Sequence, residues 1–87
     1  MTASATIHDF LVRYYGLSAK FAETDDLLAA LTLDSLKVME IIMFLEMQFQ
    51  LNLQSAKLTR DDFASIAKIG ALVERQTRLA SAAERKP

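Results

Sequence analysis

Apolar residues recur along most of this chain at helical rather than strand spacing. Ile7, Phe10, Leu11, Tyr14 and Tyr15 lie three, four and seven apart, which predicts an amphipathic helix over residues 5–15 that Gly16 can end. The strongest pattern follows Asp34, a good N-cap, and predicts a helix over residues 35–49. Val38, Ile41, Ile42, Leu45 and Phe49 share one of its sides. Burying five such side chains is worth on the order of 10 kcal/mol gross, an upper figure because an unfolded chain is already partly compact. This helix is therefore expected to be the core's main contributor. Leu36, Met39, Met43 and Met47 drift onto the adjacent face, where they read equally well as extended core or as an adaptable surface for several partners.

Between these two patterns no long period holds. Leu17, Phe21, Leu27, Leu28 and Leu31 make residues 16–33 too apolar for a free linker, so a packed loop with a short helical turn at 25–30 is expected. Residues 52–57 read as a loop. Thr59, with Asp62 three residues later, resembles a capping box and predicts a short helix over 60–66 carrying Phe63 and Ile66. Ile69, Leu72, Val73, Gln76 and Leu79 continue the period into a fourth helix over 67–79. Residues 80–87, small and charged, are expected to form a flexible tail. The pattern as a whole predicts an all-α, up-and-down helical bundle.

Composition narrows the picture. Eighty-seven residues make one domain, expected here over 1–79, that can bury roughly 60–65% of its unfolded surface. There is no cysteine, so disulfides, thiolate metal sites and cysteine nucleophiles are not available. The longest apolar run, 41–45, is far below the ~20 residues of a membrane span, and the N-terminus has no basic-then-apolar signal pattern. A cytoplasmic protein without membrane attachment is the expectation. The net charge is −1, with nine acids and six bases in residues 1–73 and two acids and four bases in residues 74–87. A mildly acidic body without a basic groove argues against nucleic acid as a partner.

Candidate chemistry centres on Ser35. It opens the most apolar helix, where unsatisfied N–H groups and the positive end of the macrodipole would stabilise an anion such as a phosphate on its hydroxyl. A plainer reading is available, since aspartate and serine both favour helix starts. No catalytic constellation is visible: His8 is the only histidine and is expected to be structural, and the acid pairs Asp25/Asp26 and Asp61/Asp62 read as caps. The chain is expected not to be an enzyme and to hold no metal.

The stretch LDSLKVMEIIMFLEMQF resembles the Asp-Ser-Leu attachment site and following helix of the acyl carrier protein family, which includes aminoacyl and D-alanyl carriers. Leu27 and Leu31 match the family's upstream anchors, and the likeness runs downstream through Phe49 to about Val73. The resemblance implies an all-α, four-helix up-and-down bundle of the acyl carrier protein type, with a long first loop, a long second helix and a short third helix. It implies a 4'-phosphopantetheine arm on Ser35, installed from coenzyme A by a phosphopantetheinyl transferase, with Asp34 helping to position the transferase's metal. The arm's thiol would carry acyl intermediates as thioesters among a loading ligase or transferase and a downstream synthase or acyltransferase, the protein itself remaining a monomer.

Leu36, Met39 and Met43 match the family's apolar recognition positions, and Glu40 and Glu46 its acidic ones, which would steer basic partners. Exchanging Glu40 is expected to change encounter rates and not stability. Three departures stand out: Thr32 and Leu33 where the family often has glycine and a small residue, Lys37 where fatty acid carriers commonly have an acid, and a body less acidic than theirs. Residues 58–69 are as similar to aminoacyl carriers, so an aminoacyl cargo loaded by an adenylating ligase is the alternative. A rival of another class is a helical interaction module dimerising through Leu36, Met39, Met43 and Met47, although the pattern spans only about two heptads.

Overall fold

A single row of apolar side chains on the last helix organises the molecule. A computed structural model describes residues 3–54 and 56–84, with the backbone alone for 80–84. Four α-helices follow in order: α1 (Ala3–Tyr15), α2 (Leu27–Leu31), α3 (Ser35–Phe49) and α4 (Ile66–Glu84), with a 3₁₀ helix at Arg60–Phe63 before α4. No strand occurs among the described residues. Ile66, Ile69, Leu72 and Val73 on α4 are buried and meet Ile7 and Leu11 of α1, Ile41 and Leu45 of α3, and Phe63. α1, α3 and the 3₁₀ helix all pack against α4.

The core is thus centred on α4, not on α3 as its hydrophobicity suggests. Only Ile41 and Leu45 of α3 are buried; Val38, Ile42 and Phe49 are half-buried against the core's edge. A helix this apolar on two faces has more hydrophobic surface than one small core can cover. The expected third helix over 60–66 is a single 3₁₀ turn that stops at Phe63. Asp62 closes that turn by accepting from the Thr59 backbone N–H at 2.9 Å. Ser65 then accepts from the Lys68 N–H at 3.1 Å, and α4 begins. α4 also runs further than expected, its backbone remaining helical through Glu84, so the expected tail over 80–87 is helical in its first five residues. Residues 85–87 lie outside the described residues.

The loop between α1 and α3 is packed, as its leucines predict. Gly16 takes a left-handed conformation (φ 72°) and ends α1, and Leu17, Leu27, Leu31 and Leu33 are buried behind it. Two backbone bonds pin the loop to the approach to α4: Leu27 N–H to the Ala64 carbonyl and Ala67 N–H to the Glu23 carbonyl, each 2.9 Å. These bonds and the leucines fix where α3 begins.

Leu45→Ala is expected to cost about 2–5 kcal/mol, because its buried methyls leave a cavity against α4. Phe49→Ala should cost less, about 1–2 kcal/mol, since that ring is only half-buried. Urea denaturation of the two variants checks the order; equal losses would contradict the α4-centred core.

Candidate functional site

The approach to Ser35 is built by local bonds. Asp26 caps α2 by accepting from the Ala29 N–H, and α2 ends at Thr32, which adopts left-handed φ 48° and ψ 58°. Glycine enters that region freely, whereas a β-branched residue does so at a steric cost. The Lys37 ammonium donates to the Leu31 carbonyl at 2.7 Å and neutralises the negative end of α2. Asp34 is extended, and its carboxylate accepts from the Lys37 N–H at 2.9 Å, forming the N-cap expected from the sequence. Ser35 follows as the first residue of α3, exposed, at the positive end of its macrodipole.

A cleft of about 230 Å³ opens at this serine. Ser35, Val38 and Ile42 fall at i, i+3 and i+7, so one face of α3 carries them all into the cleft. Leu58, Thr59, Arg60 and Phe63 line it from the segment around the 3₁₀ helix. The lining is therefore apolar from Val38, Ile42, Leu58 and Phe63, and polar from Asp34, Ser35, Thr59 and Arg60. Sequence reasoning assigned Val38 and Ile42 to the core alone and missed Arg60, although the i, i+3, i+7 relation to Ser35 was legible. Two larger hollows, of about 350 and about 470 Å³, lie elsewhere. Phe10, Tyr14 and Phe44 line the first and His8 the second, and neither reaches Ser35.

Of the residues expected to meet partners, the apolar ones face solvent. Leu36, Met39, Met43 and Met47 are between 55% and 81% exposed, so the reading of this row as extended core falls. The charged ones are engaged within the fold. Glu40 is half-buried and accepts from the Tyr15 hydroxyl at 2.8 Å, with the Tyr14 hydroxyl at 3.4 Å. Glu46, also half-buried, accepts from the Leu53 N–H at 2.9 Å and ties down the chain leaving α3. Glu40 thus bridges α1 and α3, and the expectation that it can be exchanged without touching stability does not hold. Burial first, and then the hydrogen bond to Glu40 and that carboxylate's charge, push the Tyr15 hydroxyl well above the usual tyrosine range.

His8 is half-buried, its Nε2 enclosed without a hydrogen-bond partner among the described residues, and it does not line the serine's cleft. Among the described residues no group of three or more histidine, cysteine or acidic side chains is placed to hold a metal ion, and no helix is long and apolar enough to cross a membrane. No protein-family model, curated protein or solved structure matches the chain.

Two outcomes are expected here. Left-handed backbone costs about 1–2 kcal/mol for an ordinary residue, and glycine returns about 0.5–1 of this as unfolded-state entropy. Thr32→Gly should accordingly stabilise by up to about 1 kcal/mol in urea melts, and a destabilised variant would contradict the strain at this cap. The second concerns pH. Tyr15 binds its proton more tightly folded than unfolded, so stability is intact below the ordinary tyrosine value of 10.0 and falls as pH rises above it. Tyr15→Phe should lose about 1 kcal/mol at pH 7 with its Glu40 bond and show a flatter decline between pH 9 and about 11. An unchanged alkaline slope would remove Tyr15 as its source.

Proposed function

We propose that this chain is a free-standing acyl carrier protein in which Ser35 bears 4'-phosphopantetheine and which moves acyl groups between separate enzymes. The reading adds to the all-helical fold a specific arrangement: a long packed loop delivers the serine to the start of α3, and a short third helix flanks it. The observation that carries it is the position of Ser35, exposed at a capped helix start and at the mouth of a cleft with apolar walls. The residues present fit the group. The first turn of α3 suits an anionic phosphodiester, and Val38, Ile42, Leu58 and Phe63 suit apolar chain beyond it. When bound, the arm supplies a terminal thiol that holds cargo as a thioester, a chemistry the cysteine-free chain lacks.

In this reading Asp34 caps α3 and sets the serine's orientation. Leu36, Met39 and Met43 form the contact face for the transferase, the loading ligase or transferase, and the downstream synthase or acyltransferase, and Met47 extends that face. Glu40, Glu46 and Lys37 have bonds of their own within the fold and offer less to a partner. Recognition then rests on adaptable apolar contact more than on steering by charge. An acyl cargo is the first choice, with an aminoacyl cargo loaded by an adenylating ligase as the alternative. The exposed row at Leu36, Met39, Met43 and Met47 supports a second reading, a non-catalytic helical module that associates through this face.

Intact mass after incubation with coenzyme A, magnesium and a broad-specificity phosphopantetheinyl transferase separates the two. The wild type should gain one phosphopantetheine, and Ser35→Ala none, with a circular dichroism melt close to the wild type's. No gain with two different transferases would shift the weight to the interaction module. A Ser35→Ala protein that failed to fold would count against a serine kept for attachment.

A further inference from the structure

We infer that Arg60 is the residue that holds the phosphodiester on Ser35, so that this chain anchors the arm's base through its own guanidinium. The inference rests on the carrier reading. Arg60 lines the same cleft as Ser35, from the segment around the 3₁₀ helix. Its neighbours' charges are already matched: Asp61 pairs with Lys68 at 3.3 Å, and Asp62 pairs with Arg75 at 3.6 Å while its carboxylate also accepts from the Thr59 N–H. Asp34, the one acid among the described residues of the cleft lining, is held by the Lys37 backbone N–H as the cap of α3. Arg60 itself is exposed and shows no ion pair among the described residues. The cleft lining therefore holds both the hydroxyl that would become a phosphate ester and a cation whose nearest acids in sequence are engaged elsewhere.

An arginine fork is suited to two phosphate oxygens at once, and a phosphodiester beside Ser35 keeps one negative charge at any physiological pH. Lys37, the other cation near this helix start, is held by the Leu31 carbonyl. Arg60 is thus the cation left for the phosphate. With its first group held on the 3₁₀ side, the arm would be directed along Val38, Ile42, Leu58 and Phe63 and not out from the end of α3. The pair lies at the surface, so salt should weaken it: the Debye length is about 10 Å at 0.1 M and about 3 Å at 1 M.

The test uses protein loaded with phosphopantetheine and verified by intact mass, with wild type, Arg60→Gln and Arg60→Lys compared by ³¹P NMR at 0.05 and 1 M sodium chloride. At low salt the wild-type phosphodiester signal should be displaced and broadened relative to free phosphopantetheine esters. Arg60→Gln should lose that displacement and Arg60→Lys keep part of it. At 1 M salt the three should converge, a change that a merely structural role for Arg60 would not produce. Identical signals from loaded wild type and loaded Arg60→Gln at low salt would overturn the inference and leave the carrier reading standing. A wild type that gains no mass would overturn both. If Arg60→Gln fails to fold, the Arg60→Lys comparison and the salt response of the wild type decide the matter, and no salt response in the wild type would overturn it.

Discussion

The buried row Ile66, Ile69, Leu72 and Val73 on α4 is the surface on which the other elements rest. α1 lays Ile7 and Leu11 on it, α3 adds Ile41 and Leu45, and Phe63 closes the end nearest the 3₁₀ helix. Close packing of this kind leaves a small domain with one core and little spare volume. Since α4 takes the centre, α3 is held at the side and keeps two of its apolar faces for other uses. One becomes a wall of the serine's cleft, and the other is open to solvent.

Position along the chain follows from the same packing. Leu17, Leu27, Leu31 and Leu33 are drawn into the core from a segment with little regular structure, and the bonds at Ala64 and Ala67 lock that segment to the start of α4. The serine's place is then decided over a few residues: a left-handed Thr32, a buried Leu33, and an extended Asp34 that caps the helix. A cap can fix a helix start to a single residue because only one side-chain oxygen reaches the orphan N–H groups of the first turn. Ser35 is presented on a helix and not on a loop, which fixes its position relative to the cleft.

Charge is used here mainly to hold elements together. Glu40 joins α3 to the tyrosines of α1, Glu46 secures the exit from α3, and Lys37 secures the end of α2. Each is half-buried, where a hydrogen bond to a charged group is worth more than on the open surface. The face left to solvent is correspondingly apolar, a row of three methionines and a leucine with flexible side chains.

Much of this was legible in the sequence because it depends on local rules. The span of α3 and its Asp34 cap, the end of α1 at Gly16, the helical turn in the first loop and the buried leucines of that loop all follow from spacing, capping and composition. What the sequence could not decide was which of several equally apolar faces is buried. α3 is more hydrophobic than α4, yet α4 takes the centre, because burial is settled by how helices pack in three dimensions and not by the hydrophobicity of each. The same cause exposed Leu36, Met39, Met43 and Met47, turned Glu40 and Glu46 inward, and brought Arg60 into one cleft with a serine twenty-five residues earlier in the chain. Periodicity reports that a face exists; only the tertiary structure assigns it a neighbour.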